Sequence, residues 1–329
     1  WSERTGGEFN HHNDFFTGRQ GQEFASLQES YAYTYALGGM QIINHPGQYW
    51  NIGTTYSETQ KNGPGWHANN FMTYPSLVGL EVYNQGDRRA NDRVLWDQIL
   101  QRTMPLRNVY GYSGDDTHNN EQLFRNYNMM LMTDLTTEDL KQAMRTGASY
   151  FCYEPKGSGE AKAPRITSIE VDEQAQTITI ETNGLVHWIY ATDKTSSAAS
   201  SARSTVVGIG NSFCYKGYQG SYVRAYITNV YGETCTQPIS FIDKNMVGVE
   251  NVPVTTLSIM AYPNPTVDEL NVFMNNSEIE DVIRIYDING REVVVTPVQG
   301  ALTVLSVREL PSGMYLLQSG NRTARFIKE

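Results

Sequence analysis

Short apolar runs alternate with stretches of helical period along the first 156 residues. Residues 22 to 37 place apolar side chains at helical spacing and stop at Gly38-Gly39, which predicts a helix. The run Met40-Gln41-Ile42-Ile43 follows and ends in Asn44-His45-Pro46-Gly47, the signature of a buried strand leaving its sheet. After a long polar loop, Leu77 to Val82 predicts a second strand. NDRVLWDQILQRT from Asn91 predicts a helix, and NVYGYSGDDTH predicts a third strand with a polar tip. YNMMLMT, TTEDLKQAMRTG and ASYFCY repeat strand, helix and strand, with Thr136 as N-cap and Gly147 as stop. Alternation of this kind predicts a parallel sheet or a barrel.

The pattern changes at EPKGSGEAKAP, residues 154 to 164, a Gly-, Lys- and Pro-rich linker. RITSIEVD, TITIETN, VHWIYAT, SYVRAYITN and TCTQPISFI are short alternating segments separated by turns, which predicts an immunoglobulin-like β-sandwich over 164–243. A spacer from Asp243 to Leu257 leads to a further all-β unit over 257–329, where Asn289-Gly290 between two apolar runs predicts a tight hairpin. The expected organisation is therefore multidomain: an α/β unit over 1–156 and then two all-β sandwiches.

Composition narrows the chemistry. A formal charge of −10 over 329 residues argues against a duplex nucleic-acid binder, which relies on clustered Lys and Arg. No apolar run reaches the ~20 residues of a membrane-spanning helix. Cys152, Cys214 and Cys235 lack CxxC spacing. Cys214 and Cys235 either pair in an oxidising compartment or remain reduced small hydrophobes. The chain opens at Trp1 with no starting Met, which reads as a processed or truncated product.

Five of the six histidines lie at or before position 118, so candidate chemistry sits in the first unit. Three consecutive predicted strands there end in polar groups: His45, then Glu81 with Asn84, then Asp115-Asp116-Thr117-His118. Strand ends of a (β/α) barrel share one face, and His with carboxylate at such a rim suits zinc, manganese or iron. Competing readings stay open for each. His45 caps a strand end, Asp116 and His118 form an Asx-turn, Glu81 pairs with Arg88 or Arg89, and His67 in PGWHANNF is either a loop residue in solvent or part of the pocket lining. His12 reads as a packing neighbour or outer partner of the pocket, because adjacent side chains point apart.

INHPG, GLEVYN and GDDTH resemble the later motifs of the PHP family of polymerase- and histidinol-phosphatase-like metallo-phosphoesterases, and EFNHHN is similar to its earlier Glu and His segment. The resemblance implies a distorted β/α barrel holding divalent metal ions (Mn, Zn or Fe). It makes His11, His45, Asp116 and His118 metal ligands and Glu8 a bridging one. The family's opening H-x-H is absent from this chain, which implies a start partway through the barrel. Asp115 is the candidate catalytic carboxylate, as proton acceptor or as the group that orients His118. The function so implied is hydrolysis of a phosphorylated small molecule, a phosphomonoester or diester, by metal-activated water. The alternative is a non-catalytic surface binding or structural protein on an incomplete barrel.

AYPNPTVDELNV, IYDINGREV and LPSGMYLLQ, ending ARFIKE, resemble the type IX secretion sorting domain of Bacteroidetes. That resemblance implies export through the secretion machinery to the outer-membrane surface or the medium, with no chemistry required of the tail.

Overall fold

The computed structural model describes residues 2–4, 10–18, 24, 26–51, 54–192, 204–218, 220–241, 259–262, 266–274, 282–298, 302–320 and 322–329. Glu8, the start of the first expected helix and the spacer 243–257 lie outside the described residues.

In the N-terminal unit β1 (Ser2–Arg4) and β2 (His12–Phe15) precede α1 (Leu27–Ala36), β3 (Met40–Ile43), α2 (Pro64–Thr73), β4 (Leu77–Asn84), α3 (Asn91–Thr103) and β5 (Tyr110–Gly114). Helix α1 starts where Ser26 Oγ accepts the Glu29 N–H at 3.1 Å. Helix α2 lies inside the segment expected to be a loop. Pro64 opens it, and its buried face includes His67 and Asn70 beside Ala68 and Phe71, so polar letters mask its period. The five strands form one sheet in sequence order. It is antiparallel through β1, β2 and β3, then parallel through β3, β4 and β5.

The α/β barrel is not formed, and the fold is predominantly β, built from several sheets. After β5 the chain makes β6 (Asn126–Met130), α4 (Thr137–Thr146) and β7 (Ser149–Tyr153). Helix α4 has the expected caps, with Thr136 accepting the Asp139 N–H at 3.1 Å and Gly147 closing it at φ 69°. Yet α4 joins antiparallel strands, β6 against β7, and is no crossover between parallel ones. The outer edge of β5 meets side-chain amides where a barrel would place its next strand. Gln237 bonds both the N–H and C=O of Gly111, at 2.8 and 2.9 Å, and Asn128 does the same to Ser113, at 2.9 and 2.8 Å. Positions two apart on a strand point their peptide groups the same way, so two amides stand in for a ladder.

Strands β6 and β7 instead extend the central sandwich. Beyond them lie β8 (Ile166–Asp172), β9 (Thr177–Thr182), β10 (Leu185–Thr192), β11 (Ser204–Ile209), β12 (Ser212–Cys214), β13 (Tyr222–Thr228), β14 (Glu233–Thr236) and β15 (Ile239–Ser240). One sheet runs β11-β10-β13-β14-β7-β6, with β15 on β13, and the facing sheet is β12-β9-β8. The sandwich therefore begins before the 154–164 segment, since β7 on its near side pairs with β14. Ile178, Ile180, Val186, Trp188, Val223, Ala225 and Ile227 fill the space between the sheets together with Tyr150 and Cys152 of β7. The other face of the large sheet sends Phe151, Tyr222 and Cys235 into the core of the N-terminal unit, against Trp96 and Tyr83. Cys152, Cys214 and Cys235 are all free thiols, and Cys235 is buried beside Tyr83 Oη at 3.7 Å.

The last unit packs β16 (Ile259–Tyr262), β17 (Glu269–Met274) and β20 (Leu302–Ser306) against β18 (Val282–Tyr286), β19 (Glu292–Pro297), β21 (Gly313–Ser319) and β22 (Arg322–Lys328). Leu270, Val272, Ile283, Ile285, Leu317 and Phe326 are its fully buried centre. The hairpin at Asn289-Gly290 forms as the sequence predicts, with Asp287 Oδ1 accepting the N–H groups of Asn289 and Arg291 at 2.9 and 3.0 Å.

Candidate functional site

Because β3, β4 and β5 are parallel, their C-terminal ends meet at one edge of the sheet, and antiparallel β2 enters at that same edge. His11, just before β2, continues the ladder past β3 by accepting the Asn44 N–H at 2.9 Å, which places it beside His45. Their rings meet edge to face with centroids 4.9 Å apart, and Tyr49 lies 6.3 and 6.1 Å from the two.

Two buried carboxylates hold the His45 turn from behind. Glu81 of β4 accepts the His45 N–H at 3.0 Å and the Asn84 side-chain amide at 2.9 Å. Asp92, in the first turn of α3, accepts the Gly47 N–H at 2.5 Å. Gly47 has no alternative here, since a Cβ would lie 2.6 Å from Asp92 N and 2.8 Å from Asn91 C. His45 itself adopts φ 30°, a left-handed conformation that costs a β-carbon residue strain and marks sites where geometry matters. Burial lowers the His45 pKa to about 4, with Asp116 pulling it up and His11 pushing it further down. Burial pushes the Asp92 carboxyl well above its usual range. The Gly47 N–H opposes that shift and nearby Glu81 adds to it.

At the end of β5, Asp116 sits at φ 44° and is tied to β4 by Gln85, whose side-chain Nε2 donates to Asp116 O and Oδ2 at 3.0 and 3.1 Å. His118 folds back on the same turn, with Nδ1 2.7 Å from Asp116 O, and its side chain is 69% exposed. Asp115 faces elsewhere: its carboxylate accepts the N–H groups of Phe124, Arg125 and Asn126 at 2.7, 3.0 and 2.8 Å. His118 is thus oriented by Asp116 and Gln85. Arg88 donates to Gln85 Oε1 at 2.6 Å. His12 is buried, with its ring nitrogens near Asn10 O at 3.2 Å and Ser30 Oγ at 3.3 Å, a packing position. His67 is fully buried on α2 rather than in solvent. Neither of its ring nitrogens has a hydrogen-bond partner among the described residues.

The edge therefore brings together His11, His45, Glu81, Asn84 and Asp116, adds His118 through Asp116, and leaves Asp115, His12 and His67 in other roles. Asp92 and Gln85 escape sequence reading, because each acts through a turn that only the fold assembles. As a cation site, the edge offers two imidazoles and the Asp116 carboxylate, and among the described residues the buried His45 Nδ1 has no hydrogen-bond partner beyond its own residue. Among the described residues, no three His, Cys, Asp or Glu side chains are grouped closely enough to hold a metal ion.

No curated protein matches the chain. Among solved structures, one similar chain is PorZ, described as an essential bacterial surface component of the type-IX secretion system of Porphyromonas gingivalis. Identity is 14% and TM-score 0.17, over 55% of this chain and 28% of that one. Dimeric latent PorU from the same organism gives 16% and 0.17 over 52% and 20%, and the FN1-FN3 domains of chicken CNTN1 give 11% and 0.17 over 55% and 75%. The chain thus spans under a third of the two secretion-system proteins. No helix among the described residues is long and apolar enough to cross a membrane. Residues 260–329 match the secretion system C-terminal sorting domain, so the chain carries a type IX address and is a surface or secreted protein.

Proposed function

We propose that this exported protein is a divalent-metal-dependent phosphoesterase. The N-terminal sheet through β5 would carry the site, the strands from β6 to β15 a supporting sandwich and residues 260–329 the address. The observation that carries this reading is the pairing of His11 with the buried, left-handed His45, whose Nδ1 has no partner beyond its own residue among the described residues, within the electrostatic reach of Asp116. His11, His45 and Asp116 are not grouped closely enough to hold an ion as they stand, so this reading requires them to draw together around one, which would then supply an acidified water and positive charge for phosphoryl oxygens. Glu81 and Asp92 fix the His45 turn, Gln85 fixes the Asp116 turn, and burial keeps His45 neutral and ready to donate its lone pair at neutral pH.

The full chain, stripped of metal and then offered manganese, zinc or iron, is expected to retain ion through gel filtration and to hydrolyse p-nitrophenyl phosphate. His45→Ala and Asp116→Ala should lose both properties while keeping the wild-type circular dichroism spectrum. Failure of the full chain to take up any of the three metals would sink this reading. It would favour the second, a non-catalytic surface binding module, which is supported by the sorting domain at 260–329 and the central β-sandwich.

A further inference from the structure

The four-stranded sheet of the last unit turns alternate side chains away from its core. On β21, Tyr315 and Leu317 are buried, whereas Met314 and Leu316 are 51% and 38% exposed. On β22, Phe326 and Lys328 are buried and Ile327 between them is 44% exposed. The ladders set these outward residues side by side. Met314 pairs with Ile327, and Leu316 stands between Tyr286 of β18 and Arg325 of β22. Ile288, in the turn after β18, is 79% exposed at the end of the same face. Tyr286, Ile288, Met314, Leu316 and Arg325 line an open groove there of about 400 Å³. The solvent side of an antiparallel sheet is ordinarily polar, and a contiguous apolar face marks a contact surface.

Two features indicate what covers this face. All of its residues lie in 260–329, the segment that matches the sorting domain, and the other described residues leave them exposed. A sorting unit is read alike whatever chain precedes it, so its recognition surface has to be built from that segment and stay uncovered. Arg325 also stands within the face, beside Leu316. A second copy seated there about a twofold axis would bring two guanidinium groups into one contact, whereas a partner carrying a carboxylate matches the charge. We propose that this face, Tyr286, Ile288, Met314, Leu316 and Ile327 with Arg325, is where the secretion machinery reads the address. Its occupant is an apolar polypeptide segment of that machinery with a carboxylate opposite Arg325. This role is separate from the chemistry assigned to the N-terminal unit.

The test expresses the full chain in a bacterium that has a type IX secretion system and follows the fraction reaching the surface or the medium. Leu316→Lys and Ile288→Lys should each lower that fraction about tenfold or more, as loss of an interface hot spot does. Ile288→Lys guards against misfolding, because that side chain already meets solvent. Both purified variants should keep the wild-type circular dichroism spectrum and thermal midpoint. Arg325→Glu should lower export, and Arg325→Lys, which keeps the charge, should retain more of it. Val304→Lys, on the outer side of β20 in the opposite sheet, should be exported as wild type is. A photo-crosslinking residue at Met314 should capture an outer-membrane component of the secretion system during export. Wild-type export of Leu316→Lys and Ile288→Lys overturns the proposal. So does an equal loss in Val304→Lys, or capture of a second copy of the chain at Met314.

Discussion

Asp97 of α3 and Arg224 of β13 form a two-point ion pair, Nη2 to Oδ2 at 2.8 Å and Nε to Oδ1 at 3.0 Å, with side chains 0% and 4% exposed. Tyr222 Oη donates to the same carboxylate at 3.1 Å, and the guanidinium lies 4.9 Å from the Trp96 ring centre. The N-terminal unit and the sandwich are thus joined through a fully desolvated polar contact.

Breaking this pair from one side should be expensive. Arg224→Ala leaves the buried Asp97 carboxylate without its counter-charge, at a cost of about 3–5 kcal/mol. Replacing both partners by apolar groups, as in Asp97→Leu with Arg224→Met, should cost much less. Urea unfolding of the two variants checks the order, and equal losses would mean that the ion pair itself supplies the stability.

The amides on the edge of β5 give a second expectation. Gln237→Leu leaves the N–H and C=O of Gly111 buried without partners, a loss of about 1–3 kcal/mol. Hydrogen exchange should accelerate at Gly111 and far less at Ser113, which Asn128 still holds. Uniform acceleration over the whole unit would point to global unfolding instead.

His67 predicts a pH dependence. Burial lowers its pKa to about 3 from an ordinary value near 6.5, so the folded chain keeps it neutral where the unfolded chain protonates it. The unfolded state therefore binds more protons between those values, and the stability present above pH ~6.5 is lost as pH falls toward 3. His45, lowered to about 4, acts in the same direction over the upper part of that window. His67→Phe should flatten the decline of the urea midpoint between pH 7 and pH 4.5. A decline as steep as that of wild type would show that His67 is not its source.

Gly47→Ala forces a Cβ onto the backbone of Asn91 and Asp92, and the His45 turn must shift to admit it. A loss of about 1–3 kcal/mol is expected, as for overpacking elsewhere. Metal retention should fall with it, and unchanged retention would separate the Asp92–Gly47 contact from the position of His45.

Local rules were most legible where they act within a few residues. Thr136 and Gly147 bound α4, Asn289-Gly290 turns its hairpin, and the run ending at His45 is a buried strand. Barrel closure was not legible, because it depends on which partner reaches the edge of β5. That partner is Gln237, 126 positions away in sequence, together with Asn128. Helix α2 escaped because His67 and Asn70 occupy its buried face, where an apolar period would have revealed it. At the candidate site, His45, Glu81, Asn84 and Asp116 could be named from strand ends, and His11 only from the resemblance carried by EFNHHN. Asp115 could not be told from Asp116, since which of two adjacent carboxylates faces the next loop is decided by the chain at 124–126.

Strand β7 gives alternate side chains to two cores, Phe151 to one and Tyr150 with Cys152 to the other. A tensile load between the N-terminal unit and the tail of a surface-displayed chain must then cross a shared strand rather than a slack tether. Neither body can yield alone, because extracting β7 opens both at once. Under shear in the surroundings of a cell, the two should fail together at one rupture force, giving a single force peak for the pair and not a staircase.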